Sequence, residues 1–469
     1  MLFSLPPDDS HTPLYIQITR HLKQQIRTGA LPAHAKLPSK RSLAAHLGVS
    51  VTTVEGAYSQ LVSEGFAESR PKRGFFVCEI EPLLPAAAAE PAQSAVKVEG
   101  APAPLVDFSP GGIDTRHFPY TVWRRLLRTC FDEADATLLQ NAPAQGLFSL
   151  RDSIAQYLAQ ARGVRCQARQ IVIGAGTEHL LQILSYMLDS SWTIVLENPV
   201  YNKAYHMFSR MGHSVLPLYV DEKGLPVSPL GSLSHAAVYT TPSHQFPLGV
   251  SMPISRRVQL LNWAKSAPDR YIIEDDYDSE FRYDAKPLPS LQSIDDHGRV
   301  IYLGTFSKSI APSLRIGYMV LPEALLPLYQ AQYAQFSCAV SRFEQQVLDA
   351  FLRQGAFETH LNRMRKLYKE KRKILISTLE EAFPHSLQYQ GEQAGHHVLV
   401  HLPGMPDGGA LCRAAAAAGA KVYPLSPYFI GPVPPAYQGH VLLGYGSLSQ
   451  AQIQQGVWLL SQAWAPFTA

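Results

Sequence analysis

Lys308 stands in the run Tyr302-Leu303-Gly304-Thr305-Phe306-Ser307-Lys308, framed by small hydroxyl residues, with Arg315 seven positions further on. A lysine amine condenses with an aldehyde, while hydroxyls and a guanidinium hold a phosphate. Pyridoxal 5'-phosphate makes both demands at once, and it pairs its ring nitrogen with an acidic side chain. The chain supplies that partner in Glu274-Asp275-Asp276-Tyr277-Asp278-Ser279-Glu280-Phe281. A carboxylate such as Asp275 keeps the ring nitrogen protonated, and a phenol such as Tyr277 can hydrogen-bond the ring oxygen. The bland alternative is a surface lysine and a solvated acidic loop. Two strand-to-loop motifs of the right types argue against it.

Those residues need strands that end at one edge. The apolar runs at 300–303 and 271–273 read as strands leading into the lysine loop and the acidic run. A third, 170–173, runs into Gly174-Ala175-Gly176-Thr177-Glu178 and then a helix carrying Leu180, Leu181, Leu184 and Met187. A glycine-rich turn at a helix N-terminus is an anion site, because unpaired backbone amides point outward. Further strands are expected at 193–196 and 237–240, with helices around 123–131 and 150–161. This alternation predicts a mostly parallel, doubly wound sheet with its loops gathered at one edge. Helices dominate beyond residue 335, including 361–379. A small C-terminal α+β lobe follows, with strands near 397–400 and 440–443.

The first 80 residues are organised differently. Leu14, Ile18, Leu22 and Ile26 form a helical stripe closed by Gly29. Ser39 caps a short helix carrying Leu43 and Leu47 that stops at Gly48, and Ser50 caps a third with Val54, Tyr58, Leu61 and Val62 on one face. Residues 66–69 and 74–77 read as two short strands around the basic tip Arg70-Pro71-Lys72-Arg73. Together these elements spell a winged helix-turn-helix. In such a unit Val51, Thr52 and Thr53 face the bases of double-stranded DNA, and Lys40, Arg41, Lys72 and Arg73 neutralise its phosphates. Residues 1–80 hold nine Lys and Arg against six Asp and Glu, which accounts for the whole formal charge of +3. Residues 81–105, rich in Ala and Pro, read as a semi-extended linker between this head and a body spanning 106–469.

Composition narrows the class. At 469 residues with 46% hydrophobic and 17% charged side chains, the chain is expected to form two or three soluble domains. No run approaches a membrane span, and the N-terminus lacks the pattern of a signal peptide. Five scattered cysteines predict reduced thiols, a cytoplasmic location and no metal site.

The body resembles a fold type I aminotransferase, and head, linker and body together resemble the MocR/GabR family. Members are regulators of the GntR class fused to an aminotransferase-like domain. The resemblance rests on Lys36-Leu37-Pro38-Ser39-Lys40-Arg41, Thr241-Pro242-Ser243-His244-Gln245-Phe246-Pro247, the acidic run from Ile273 and Gly304-Thr305-Phe306-Ser307-Lys308. It implies that Lys308 carries pyridoxal phosphate, that Asp275 pairs the ring nitrogen and that Tyr277 donates to the ring oxygen. Gly176, Thr177, Thr305, Ser307 and Arg315 would hold the phosphate, Tyr201 would stack on the ring, and His244 and Gln245 would line its edge. The family further implies a domain-swapped homodimer that regulates transcription, with an amine, an amino acid or vitamin B6 as effector sensed through the lysine linkage. A working aminotransferase with an accessory DNA-binding head is the alternative. Where members responsive to γ-aminobutyrate (GABA) grip the effector carboxylate with two arginines, this chain has Lys203 and Pro427. Proline cannot replace a bidentate guanidinium, and lysine supplies only a point charge.

Overall fold

The computed structural model describes residues 12–80, 104–132, 136–231, 233–283, 289–384, 386–405 and 407–468. The chain divides into two compact units, Met1–Ala101 and Pro102–Ala469. All but the last two residues of the expected 81–105 linker lie outside the described residues.

In the first unit α1 (Leu14–Arg27) buries Ile18, Leu22 and Ile26. The Ser39 side chain accepts from the Ser42 amide to start α2 (Lys40–Leu47), which ends at Gly48 in the left-handed region. Ser50 caps α3 (Val51–Ser63) in the same way, through the Thr53 amide. A hairpin of β1 (Ala67–Arg70) and β2 (Gly74–Val77) completes the unit. Its core joins Leu43, Val54, Tyr58, Leu61 and Val77 to the α1 stripe, and the Tyr58 hydroxyl donates to the Pro38 carbonyl at 2.9 Å. Val62 is exposed. It follows the buried Leu61 by one residue, and one step of about 100° carries it round to solvent.

The second unit opens with β3 (Val106–Asp107), α4 (Tyr120–Asp132) and α5 (Phe148–Arg162). Its alternating part runs through β4 (Ile171–Gly174), α6 (Thr177–Leu188), β5 (Thr193–Asn198), α7 (Asn202–Arg210), β6 (Ser214–Tyr219), β7 (Ala236–Thr240), α8 (Ile254–Lys265), β8 (Arg270–Asp275), β9 (Val300–Thr305) and β10 (Gly317–Val320). The sheet order is β4-β10-β9-β8-β7-β5-β6, parallel except for β10. Alternate residues enter opposite cores: Ile171 and Ile173 pack with one cluster, Val172 with the other. Both faces are therefore covered, and the strands read as continuous apolar runs.

The antiparallel β10 reverses the chain after the lysine loop. Pairing of Gly317 with Thr305 folds the chain straight back, so that Arg315 returns to the same sheet edge as Lys308. Gly304 permits this, since a Cβ there would lie 2.4 Å from the Tyr318 ring. Helices α9 (Leu326–Tyr333), α10 (Arg342–Arg353) and the 27-residue α11 (Ala356–Ala382) lead into the lobe. There β11 (Gln388–Gln390), β12 (His397–His401), β14 (Tyr423–Pro424) and β15 (His440–Gly444) form an antiparallel sheet. Helices α12 (Gly408–Ala417) and α13 (Gln450–Thr468) cover it, and β13 (Ala420–Lys421) pairs with β3.

Candidate cofactor cavity and nucleic-acid interface

The carboxyl ends of β4, β5, β7, β8 and β9 meet at one edge of the sheet around a cavity of about 430 Å³. It is lined by Thr177, Tyr201, Asp275, Tyr277, Thr305, Ser307, Lys308 and Arg315 among others. Of the residues expected around the cofactor, Gly176, His244 and Gln245 lie outside this lining. Lys308 leaves the turn after β9, and its Nζ donates to the Gly111 carbonyl at 3.0 Å. Burial pulls its ammonium below the ordinary lysine range. Of the hydroxyls expected on a phosphate, Thr305 is partly committed, because its Oγ accepts from the Ser307 amide at 3.1 Å.

Each acid of the run has a separate role. Glu274 Oε1 and Oε2 accept from the Leu291 and Gln292 amides at 2.7 and 2.9 Å. Asp276 is neutralised by buried Arg162, 2.7 Å away, and also accepts from the Tyr302 and Ser279 hydroxyls. Asp275 alone faces the cavity without a cation. Its Oδ2 accepts from the Tyr239 hydroxyl at 2.5 Å, and its Oδ1 is buried with no partner. Burial raises the Asp275 carboxyl to about 7, with the Asp276 charge adding to the shift. A buried acceptor left open in this way fits a protonated ring nitrogen.

At the other end Gly176, at φ 84°, precedes the first turn of α6. A Cβ on it would lie 2.8 Å from Arg315 Nη2, so the glycine lets the guanidinium rest against the turn. Arg315 itself adopts a left-handed backbone, which curls its side chain back toward Ala175, whose carbonyl accepts at 3.1 Å. Glu178, not singled out from the sequence, ion-pairs with both Arg315 and Lys203. Burial opposes its ionisation, but the two cations overcome this and hold it at about 2. The donors Thr177, Ser307 and Arg315 beside a helix N-terminus suit a phosphate, and the cavity volume suits a small cofactor. The residues present thus fit pyridoxal phosphate.

Tyr201, Phe246 and Tyr428 form an aromatic wall, with Phe246 edge-on to both tyrosines. Gln245, expected at the ring edge, is used elsewhere: its amide donates to the Pro199 and Phe246 carbonyls, and its oxygen accepts from the Leu248 amide. His244 is buried and joined to Tyr277 and Asp278. Pro427 presents its carbonyl to the Asn202 amide at 2.5 Å. Tyr239 and Glu178 could have been found by asking which side chains neighbour Asp275 across the sheet and follow Thr177 in the helix.

In the head, Val51 and Thr52 are exposed at the start of α3, as are Arg41, Lys72 and Arg73. Ser50 is occupied as the cap, and its Oγ lies 2.7 Å from the Thr53 hydroxyl and 2.8 Å from that of Thr52. Lys40 pairs with Glu55 at 2.5 Å, so its charge is already shared within the protein.

A family model for bacterial regulatory proteins of the gntR family matches residues 14–77, and one for aminotransferase class I and II matches residues 105–426. The uncharacterized HTH-type transcriptional regulator YhdI of Bacillus subtilis is 39% identical over 97% of both chains. The HTH-type pyridoxine biosynthesis transcriptional regulator PdxR of Corynebacterium glutamicum is 32% identical over 98% of both. Among solved structures, the multiple substrate aminotransferase of Thermococcus profundus matches with a TM-score of 0.69 and 25% identity, over 78% of this chain and 92% of its own. Fold and site together define a DNA-binding head fused to a body of the pyridoxal-phosphate-dependent aminotransferase fold. The chain belongs to the MocR-type transcriptional regulators with a GntR-family winged helix.

Proposed function

We propose that the body binds pyridoxal 5'-phosphate on Lys308 and that the protein regulates transcription in response to a small amine or a B6 vitamer reaching this cavity. The observation that carries the reading is the open, buried Asp275 Oδ1 across the same cavity from a lysine whose burial favours the free amine. When bound, the cofactor supplies an aldehyde carbon that a ligand amine can take over from the lysine. The protein's own groups do the rest. Lys308 Nζ, held by the Gly111 carbonyl, would carry the aldehyde carbon until a ligand amine replaces it, and Asp275 would keep a proton at the ring nitrogen. Tyr277 donates to the ring oxygen and Tyr201 covers the ring face, while Thr177, Thr305, Ser307, Arg315 and the Gly176 turn hold the phosphate.

In the head, Val51 and Thr52 read bases, with Thr53 and Ser50 fixing the helix start, and Lys40, Arg41, Lys72 and Arg73 meet phosphates. The apolar side chains of Tyr120, Phe131, Leu139 and Phe148, exposed on the body, support a homodimer.

An amine or B6 vitamer is favoured over an amino acid because Pro427 has no side-chain donor and offers only a carbonyl, which leaves a carboxylate the single exposed ammonium of Lys203. The name of the relative PdxR points the same way. Purified protein should be yellow, and borohydride should fix the cofactor to the peptide containing Lys308. A plain amine should perturb the absorbance at concentrations where GABA does not. A label on another lysine would refute the site, and micromolar GABA binding would refute the effector class. Sustained keto-acid turnover would favour the working aminotransferase.

A further inference from the structure

His244 lies on the loop after β7, 3% exposed, its ring stacked on that of Tyr277 at 6.1 Å. Its Nδ1 is 2.8 Å from Asp278 Oδ2 and 3.0 Å from the Tyr277 hydroxyl. A carboxylate oxygen only accepts, so Nδ1 carries the hydrogen. It then cannot accept from Tyr277, and the phenol oxygen receives the second arm of the same N–H. Nε2 is buried without a partner, as the bare nitrogen of that tautomer. Gly395 seals the arrangement from the lobe: a Cβ there would lie 2.5 Å from Asp278 Oδ2 and 2.7 Å from His244 Cε1.

The phenol proton of Tyr277 is left with two outlets, the Asp278 carboxylate and the cavity that Tyr277 lines. His244 Nδ1–H holds Asp278 Oδ2 and so competes with the phenol for that carboxylate. We propose that His244 is a positioning residue: clamped by Asp278, it turns the Tyr277 oxygen so that the phenol proton is donated into the cavity, to the ring oxygen of the cofactor carried on Lys308. The proposal rests on the cofactor reading above. Other ionisable groups facing this cluster are Asp275 and Glu197 beside Tyr277, His396 and His397 beside His244, and Lys308. Burial depresses both histidines, His397 to about 4, so they stay neutral near pH 7.

A donor on the ring oxygen competes with the proton on Lys308 Nζ for the negative charge of that oxygen. Loss of the donor therefore raises the proton affinity at Nζ, by about one pH unit for one hydrogen bond. The experiment is a pH titration of the visible absorbance of the full-length protein loaded with pyridoxal phosphate, with borohydride labelling of Lys308 in parallel. Tyr277→Phe and His244→Gln should each raise the midpoint by about one unit. His244→Asn, whose amide N–H can stand where Nδ1–H stood, should restore it to near the starting value. An unmoved midpoint in His244→Gln or in Tyr277→Phe, with Lys308 still labelled, would overturn the proposal alone. If the unmodified protein takes no label on Lys308, the cofactor reading fails and this inference falls with it.

Discussion

Replacing Asp275 with Asn separates two consequences of one buried carboxylate. In the cofactor-free protein burial lifts this acid from its ordinary 3.8 to about 7. The unfolded chain therefore gives up the proton first as pH rises. Stability contributed by the protonated form is full below about pH 4, declines up to about pH 7 and is level above it. A gap of about three pH units corresponds to roughly 4 kcal/mol, a ceiling because relaxation and water soften a buried charge. Asn does not titrate, and its amide beside the open Oδ1 position carries a constant penalty of about 1–3 kcal/mol. The variant should thus gain on the unmodified protein by up to about 4 kcal/mol between acid and mildly alkaline pH.

Thermal midpoints of both cofactor-stripped proteins across that range provide the assay. The raised acids Glu274 and Glu280 are common to both and cancel. Parallel curves would refute the reasoning, because Asp275 would then be ionised without penalty. With cofactor present the order should reverse: Asn supplies no charge opposite the ring nitrogen, so affinity should fall at least about tenfold.

Two further outcomes test the phosphate end and the head. Gly176→Ala must push the Arg315 guanidinium off the turn and strain a backbone at φ 84°, so cofactor affinity should drop roughly 10- to 100-fold in a spectroscopic titration. An unchanged affinity would remove Arg315 from the phosphate. Replacing Lys40 and Arg41 together by Ala should weaken DNA binding at every sequence and flatten its salt dependence, with Arg41 giving most of the effect since Lys40 is paired with Glu55. Equal losses from the two single variants would show that Lys40 leaves Glu55 for a phosphate.

The head was legible nearly to the residue because its signals are local. Caps at Ser39 and Ser50, a left-handed stop at Gly48 and helical apolar spacing act within a few positions of one another. The same locality led to one overreach, since Val62 is apolar but one step off the buried face. Lys308, Asp275 and Arg315 were readable as chemistry, yet their meeting depends on sheet order. The reversal at Gly317 was hidden because Gly-Tyr-Met-Val carries no mark of strand direction. The resemblance put Gln245 at the ring edge, whereas its amide serves the Phe246 carbonyl of its own turn and the Pro199 carbonyl of the loop after β5. Glu178 and Tyr239 stayed unnoticed because their partners are distant in sequence: Lys203 and Arg315 for one, Asp275 for the other.

Glu178 also sharpens what the departures at 203 and 427 mean on the proposed reading. The Lys203 side chain is 62% exposed in its pair with Glu178. Such a pair is worth about 1 kcal/mol or less, so an incoming carboxylate could recruit Lys203 at small cost. Availability of positive charge is therefore not what disfavours an amino acid. The difference lies in geometry. A guanidinium at 427 would present two parallel donors, whereas Pro427 has no side-chain donor and its carbonyl is engaged by Asn202. A carboxylate held by one mobile ammonium gains little orientation. A ligand that brings an amine and little else, or a B6 vitamer held by its own ring and phosphate, loses nothing by that change.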